Sequence, residues 1–192
     1  MIIGLQVRHY KAYRNINFIP VGFEHRFVAY SGENGAGKSS ILEALDTFLN
    51  NKHWLLTKTE RASDSYICPV FLIPKEKISR EKLAFEEISN FFWELEEKSK
   101  TNTFFNLRKA LPKDTRDTHF LLFLGENHER KLEVPFGESI KESFKQVLEG
   151  CGLSDKKLLK EIKDVYSYVY IPVEIDSENF TKIETVEMQK IF

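Results

Sequence analysis

The stretch AYSGENGAGKSS at residues 29–40 determines what kind of fold this chain can adopt. It contains the phosphate-binding pattern GxxxxGK followed by Ser or Thr, filled here by Gly32, Glu33, Asn34, Gly35, Ala36, Gly37, Lys38 and Ser39. In such a loop, backbone N–H groups and the positive end of the following helix dipole hold a polyphosphate. Lys38 would bridge the β and γ phosphates, and the Ser39 hydroxyl would ligate Mg²⁺. The stretch therefore predicts a nucleotide site; the alternative is a glycine-rich turn that only caps a helix.

The composition is that of a soluble globular protein. Of 192 residues, 42% are hydrophobic and 30% are charged, which is enough for a buried core. The 28 Lys and Arg residues balance 29 Asp and Glu residues, so any DNA contact is expected to be local or to lie on another chain. No apolar run exceeds about six residues and the N-terminus lacks a signal-peptide pattern, so we expect a cytoplasmic protein without a membrane span. The spacing of Cys68 and Cys151 indicates neither a zinc site nor a disulfide framework.

The residues around the loop carry clear periodicity. Alternating apolar residues predict two antiparallel strands over 2–9 and 15–19. The apolar run at 26–30 predicts a third, buried strand that leads into the loop. After the loop, apolar residues recur at helical spacing from Ile41, which predicts a helix over about 38–50. The loop therefore has the strand and helix neighbours in which its pattern is meaningful.

The rest of the chain mixes both kinds of element. The predicted helices span 79–100, about 140–148, and 155–164 with Ser154 as a cap. The predicted strands are 67–73, a hairpin of 119–124 with 130–134, and 165–171. Because Pro69 has no backbone N–H, the strand 67–73 is predicted to lie toward an edge of its sheet or to start irregularly.

The segments before and at the loop resemble a known family. VRHYKAYRNINF at 7–18 and GENGAGKSSILEAL at 32–45 are similar to the ATP-binding-cassette ATPases of the chromosome-maintenance, recombination-repair and OLD-nuclease type. The loop matches that family's form GxNGxGKS followed by Ser or Thr, ending here at Ser40. Tyr10 and Lys11 take the places of the aromatic and basic residues that end its first strand. The specific resemblance covers residues 1–50.

The resemblance implies a fold, a domain organisation and a ligand set. The fold would be α/β, an ABC-ATPase-like P-loop fold with an N-terminal antiparallel β region and an α/β insertion. Residues 1–50 would form the core of the head, 51–164 the insertion, and 165–192 the last strand and the approach to a coiled-coil arm or hinge. ATP and Mg²⁺ would be the cofactors, and Lys11 would approach the nucleotide's phosphates. Glu174 would contribute to the metal site with Ser39, where the family has a glutamine.

Two motifs that this family needs for hydrolysis are missing. The apolar run Phe120 to Leu124 ends in Gly125-Glu126 rather than Asp-Glu, and GLSDKK at 152–157 lacks the glycines of a signature loop. Glu126 is a candidate catalytic base, with a hairpin turn as the alternative. By resemblance, the chain is the N-terminal half of an ATPase head whose hydrolysis needs the C-terminal half of that head. Its other expected partners are a second head, as homodimer or heterodimer, DNA in the full complex, and an accessory nuclease or effector subunit.

Other functions stay open from the residues alone. A small-molecule kinase uses the same loop but needs a lid with arginines, and only scattered candidates follow the helix: Arg61, Arg80, Arg108 and Arg116. A regulator that binds a nucleotide without hydrolysing it is the third possibility. The lysines near one helical surface could follow a phosphate backbone or form an ordinary solvated face; they are Lys156, Lys157, Lys160 and Lys163. The pathway would be repair, chromosome maintenance or antiphage defence.

Overall fold

The computed structural model describes residues 1–23, 27–57, 62–96 and 103–172. Its helices are α1 (Lys38–Leu49), α2 (Lys82–Glu94), α3 (Thr103–Ala110), α4 (Thr115–Thr118), α5 (Glu138–Gly150) and α6 (Asp155–Asp164). Its strands are β1 (Ile2–Arg8), β2 (Asn17–Pro20), β3 (Tyr66–Pro74), β4 (His119–Phe123), β5 (Gly125–Asn127) and β6 (Leu132–Glu133). The described strands join in one antiparallel sheet in the order β2-β1-β3-β5-β6, and β4 also pairs with β3.

The first two strands confirm the sequence prediction. β1 pairs antiparallel with β2, with Leu5 opposite Ile19, and pairs with β3 along its other edge. Both faces of β1 are buried, and Gly4 makes this possible because a Cβ added there would lie 2.8 Å from the ring of Phe18. The N-terminal β region is therefore built into the sheet rather than attached beside it.

β3 lies at the centre of the sheet, so the prediction that Pro69 places this strand toward an edge is wrong. β3 pairs with β1 on one side and with both β4 and β5 on the other. On that second side the β5 pairing ends at Ile67 and the β4 pairing begins at Val70. Pro69 falls in the gap, where the absence of a backbone donor costs no hydrogen bond of the ladder.

Aromatic side chains fill the space on both faces of the sheet. On one face, Phe48 of α1 packs against Phe71 of β3 with ring centroids 5.9 Å apart. On the other, Phe104 of α3 stacks on Phe123 of β4 at 4.8 Å. All four side chains are fully buried, and burial of a phenylalanine stabilises a fold by about 1.5–3 kcal/mol. The sheet with its helices thus fixes α1, the helix that follows the glycine loop.

The helical predictions hold for α1, α5 and α6. α1 begins at Lys38, and α5 ends at Gly150. α6 begins at Asp155 with Ser154 as N-cap, whose side chain accepts a hydrogen bond from the backbone N–H of Lys157. For the prediction 79–100, the structure gives α2 over Lys82–Glu94, and residues 97–102 lie outside the described ranges.

Three strand predictions are corrected by the structure. Of the predicted strand 26–30, residue 26 lies outside the described ranges; residues 27–30 pair with no described strand, and Phe27 is 81% exposed. Residues 165–172 also form no strand, since their tyrosines contact α1 and the N-terminus instead of a neighbouring ladder. The predicted pairing of 119–124 with 130–134 is also wrong: β4 pairs with β3, and the strand that pairs with β6 is β5, in the segment predicted as the turn.

Strands from the predicted regions 1–50 and 51–164 share this sheet, and the proposed domain boundaries themselves stay predictions. Over the part of the chain that the structure describes, every helix is too short or too polar to cross a bilayer.

Candidate nucleotide-binding site

The glycine loop ends in a helix whose first N–H groups are available to a ligand. Gly35 and Gly37 have φ values of 84° and 88°, a region that costs glycine little and other residues more. Gly37 is the N-cap of α1, no side chain caps the helix, and its first turn carries no acidic residue. The unpaired N–H groups and the helix dipole therefore present an unopposed positive potential at the loop. Such an end favours the binding of phosphate.

The Lys38 ammonium lies inside its own loop. Its Nζ donates hydrogen bonds to the carbonyl oxygens of Gly32 and Glu33, each at 2.7 Å. These carbonyls hold the cation at the loop, and phosphate oxygens, which are charged acceptors, would replace them. Ser39 is exposed at the start of α1, whereas Ser40 is buried. The structure thus brings Lys38 and Ser39 to one loop, as the sequence predicts.

The remaining loop positions leave space for a ligand. The exposed ones are Gly32, Glu33, Asn34, Gly35 and Ala36. A turn closed by a hydrogen bond from the Ala36 N–H to the Glu33 carbonyl, at 3.2 Å, shapes this part of the loop. No heavy atom lies within 4 Å of a Cβ built at Gly35, so its outer side is open.

A tight turn at residues 10–13 contacts α1 at three points along its length. The Tyr10 hydroxyl forms a hydrogen bond of 2.9 Å with Thr47, and the Lys11 ammonium pairs with Glu43. The Tyr13 hydroxyl donates to the carbonyl oxygen of Gly37 at 3.1 Å. This turn therefore holds the N-cap, the middle and the last turn of the helix that carries the loop.

Lys11 is fixed by contacts with α1 and with the segment that contains Leu55 and Thr57. Its backbone has φ of 48°, and its N–H donates to the carbonyl of Leu55 at 3.0 Å. The Thr57 hydroxyl donates to the Lys11 carbonyl at 2.9 Å, so a neighbouring segment fixes this left-handed residue. With its ammonium on Glu43, Lys11 is bound to α1, and its approach to the phosphates stays a prediction.

Glu43 receives a second partner from the end of the described chain. The Tyr170 hydroxyl donates to Glu43 at 3.4 Å, and the Tyr168 hydroxyl donates to the carbonyl of Leu42 at 2.9 Å. Burial raises the pKa of Tyr168, so its hydroxyl stays a donor at neutral pH. Tyr13, Glu43 and these tyrosines support the site although no sequence motif marks them for that role. The recurrence of tyrosine at every second position from Tyr166 is the signal that could have found the last group.

Glu126 lies at the opposite end of α1 and is neither a hairpin-turn residue nor a base at the loop. It belongs to β5, its side chain is 2% exposed, and its two oxygens accept from Arg130 and Lys163. Arg130 also donates to the carbonyl of Thr47 at 2.8 Å, nine residues after Lys38. At a rise of about 1.5 Å per residue, this is roughly 13 Å along the helix from the loop.

Two of the four lysines at α6 form ion pairs within the protein, and the other two line a cavity. Lys157 pairs with Glu81 at 2.5 Å, and Lys163 pairs with Glu126 at 2.8 Å. Lys156 and Lys160 line a cavity of about 750 Å³ between α6 and the end of α1. Two of the four lysines are therefore engaged within the protein rather than available to a phosphate backbone.

The residues present fit an ATP phosphate group better than a complete metal site. Ser39 stands where a Mg²⁺ ligand is expected, whereas Glu174 lies outside the described residues. Within residues 1–23, 27–57, 62–96 and 103–172, no group of three or more His, Cys, Asp or Glu side chains could hold a metal. The loop supplies N–H donors for phosphate and the exposed hydroxyl of Ser39, while Ser40 is buried.

Comparison with known proteins identifies the family. A family model described as an AAA ATPase domain matches residues 1–191. The chain belongs to the AAA ATPase domain family. Comparisons with curated proteins and with solved structures found no match. Membership in this family indicates ATP binding and ATPase activity, and the mixed α/β fold with its antiparallel sheet is consistent with such a domain.

Proposed function

We propose that this AAA ATPase domain binds ATP with Mg²⁺ at residues 32–40 and serves as the N-terminal half of an ABC-type ATPase head. The observation that carries the proposal is the loop itself, with Lys38 held at its centre by two carbonyl oxygens and uncapped N–H groups at the start of α1. The finer family assignment is supported by the resemblance of residues 1–50 to the chromosome-maintenance, recombination-repair and OLD-nuclease type.

The residues of this chain would bind and orient the nucleotide. Lys38 would exchange the carbonyls of Gly32 and Glu33 for oxygens of the β and γ phosphates, gaining charge-assisted hydrogen bonds. The N–H groups at the start of α1 would donate to the phosphates, and the Ser39 hydroxyl would ligate Mg²⁺. ATP, when bound, supplies the phosphoanhydride bond that is cleaved.

Hydrolysis needs a group that orients the attacking water. Glu126, the acid considered from sequence, is neutralised by two cations at the other end of α1. We therefore propose that the metal-binding acids and the signature loop come from the C-terminal half of the head and from a second head. Bound ATP would then hold two heads together until it is hydrolysed. In other nucleotide hydrolases, too, contacts to the γ-phosphate hold a conformation that is released on hydrolysis. We propose that this cycle serves a DNA-processing complex in repair, chromosome maintenance or antiphage defence, with an accessory nuclease or effector subunit.

Calorimetric titration with Mg-ATP tests the binding step. Lys38→Ala should weaken ATP binding by at least about a hundredfold, because two charge-assisted hydrogen bonds are worth roughly 1.5–3 kcal/mol each. Lys113→Ala, which removes an exposed lysine elsewhere, is the matched control and should bind as the wild type does. Equal affinity in the wild type and Lys38→Ala would refute ATP binding at this loop.

Turnover measurements test the proposed division of the active site. Residues 1–192 alone should hydrolyse ATP very slowly, because Glu126, the candidate base, is paired with Arg130 and Lys163 at the other end of α1. Rapid turnover that Lys38→Ala abolishes would show that the chain contains its own catalytic base and would contradict the half-head proposal. Single-turnover measurements on the full assembly separate a hydrolysing head from a regulator that only binds.

The kinase alternative receives little support from the arginines. Arg108 donates to the carbonyls of Phe92 and Leu95 at 2.7 and 2.9 Å, which fixes it inside the helical layer. Arg116 pairs with Glu94 at 2.7 Å. Both arginines are thus bound to residues of α2 or to Leu95 just after it, rather than placed over the loop. Arg61 lies outside the described residues.

A further inference from the structure

The contact between Tyr13 and Gly37 concerns a backbone donor of the phosphate loop. The Tyr13 hydroxyl donates to the carbonyl oxygen of Gly37 at 3.1 Å. That carbonyl belongs to the peptide unit whose N–H is the N–H of Lys38, the first residue of α1. In a trans peptide the C=O and N–H point in opposite directions. Holding the carbonyl toward Tyr13 therefore turns the Lys38 N–H away from Tyr13 and toward the open side of the loop.

Two hydrogen bonds to the Gly37 carbonyl oppose a rotation of this peptide. Gly37 is the N-cap of α1, so its carbonyl also accepts the first hydrogen bond within the helix. The N–H of Lys38 is among the first four of the helix, which have no partner inside the helix. A flipped peptide would replace this donor by a carbonyl oxygen, which repels a phosphate. The bond from Tyr13 adds to the helix bond in holding the Lys38 N–H in place as a donor.

Tyr13 is itself held firmly enough to act in this way. Its backbone N–H donates to the Tyr10 carbonyl at 2.9 Å, and the Tyr10 N–H donates to the Tyr13 carbonyl at 3.1 Å. A Cβ built at Gly37 would lie 3.2 Å from the Tyr13 hydroxyl and 3.3 Å from Ala12, so the turn packs directly against the loop. Burial raises the pKa of Tyr13, which keeps its hydroxyl protonated as a donor at neutral pH.

We propose that Tyr13 is a positioning residue for polyphosphate binding: by holding the Gly37 carbonyl, it directs the Lys38 N–H toward the phosphates before the nucleotide arrives. The proposal rests on ATP binding at this loop. It goes beyond that function by naming a residue outside the loop pattern that prepares one of the loop's donors. Because the contact is to the backbone of the loop, it acts on the phosphates and is independent of the base.

The test compares two ligands and two tyrosine variants. The affinities of Mg-ATP and of inorganic tripolyphosphate are measured by calorimetry for the wild type, Tyr13→Phe and Tyr30→Phe. Tyr30 is the matched control, because it is a half-buried tyrosine that precedes the loop and its hydroxyl has no hydrogen-bond partner among the described residues. Tyr13→Phe keeps the ring, whose Cζ would lie 3.3 Å from a Cβ built at Gly37, and removes only the hydroxyl.

Tyr13→Phe should weaken both ligands equally, by about fivefold, the worth of one neutral hydrogen bond. Tyr30→Phe should weaken neither. In ¹⁵N spectra without ligand, the Lys38 amide should shift and exchange faster in Tyr13→Phe, while the urea midpoint of unfolding stays within error of the wild type. These changes at one amide would distinguish positioning from a general loss of stability.

Three results would overturn the proposal. The first is wild-type affinity for both ligands in Tyr13→Phe with an unchanged Lys38 amide. The second is weaker ATP binding with unchanged tripolyphosphate binding, which would mean that Tyr13 contacts the nucleoside. The third is a Tyr30→Phe variant that loses as much affinity as Tyr13→Phe. Lys38→Ala is measured alongside as a test of the proposed function. If Lys38→Ala binds ATP as tightly as the wild type, ATP binding at this loop is refuted. If Lys38→Ala loses ATP affinity but Tyr13→Phe does not, only the positioning role of Tyr13 is refuted.

Discussion

Replacing Glu126 by glutamine should destabilise the fold while leaving nucleotide binding intact. The Glu126 carboxylate is 2% exposed and accepts from Arg130 and Lys163, the latter at 2.8 Å. Glutamine has the same shape but no charge, and its amide nitrogen must face one of the two cations. The substitution therefore removes one acceptor and leaves two positive charges without their counterion.

The magnitude follows from the exposure of the two cations. Removing one partner from a fully buried ion pair costs about 3–5 kcal/mol. Here Arg130 is 32% exposed and Lys163 is 13% exposed, so both can regain some hydration. The glutamine oxygen can still accept one of the two bonds, and a lost charge-assisted bond is worth about 1.5–3 kcal/mol. We therefore expect a loss of about 2–3 kcal/mol, or roughly 5–10 °C in Tm for a chain of this size.

Urea denaturation followed by circular dichroism measures this loss, and calorimetry with Mg-ATP measures binding. Glu129→Gln is the matched control, since it makes the same chemical change on an exposed carboxylate of the same β5–β6 connection and should alter stability little. ATP affinity should be unchanged, because Glu126 lies roughly 13 Å along α1 from Lys38. A loss of stability below about 0.5 kcal/mol would refute the buried-pair reasoning. Wild-type stability with abolished ATP turnover in the full assembly would restore Glu126 as a catalytic residue.

Further predictions concern the sheet, the pH dependence and the basic helix. Gly125→Ala should prevent folding, measured as loss of soluble protein, because its Cβ would lie 1.9 Å from a backbone carbonyl oxygen of β3. The free energy of unfolding should fall as pH rises from about 10 to about 12, because burial raises the pKa of Tyr66 to about 12 while an unfolded tyrosine ionises near 10. Urea titrations at several pH values measure this fall, and Tyr66→Phe should lessen it. If the cavity beside α6 contacts DNA, Lys156→Glu and Lys160→Glu, each measured singly, should weaken DNA binding in fluorescence anisotropy more than Lys145→Glu on α5 does. These single variants all change the net charge by the same amount, so equal losses would assign the effect to net charge.

The local signals of the chain predicted much of its secondary structure. Alternation gave the positions of β1 and β2, and helical spacing gave α1, α5 and α6 with Ser154 as a cap, because these patterns depend on neighbours a few residues apart. Predictions from local pattern were wrong where the pairing of distant strands determined the structure. The apolar run at 27–30 has the composition of a strand but pairs with no described strand. Pro69 is tolerated in the central strand β3 because it lies between the residues of β3 that pair with β5 and those that pair with β4.

By itself, the sequence determined the phosphate loop: Lys38 and Ser39 are fixed by a pattern of consecutive residues, and the family match over residues 1–191 agrees with that prediction. Only the tertiary structure decided what supports the loop. The contacts of Tyr13 with Gly37, of Lys11 with Glu43, and of Tyr170 with the same carboxylate join residues 24, 32 and 127 positions apart. No local pattern encodes such pairs, because they exist only once the sheet has placed the turn at residues 10–13 and the end of the described chain against α1.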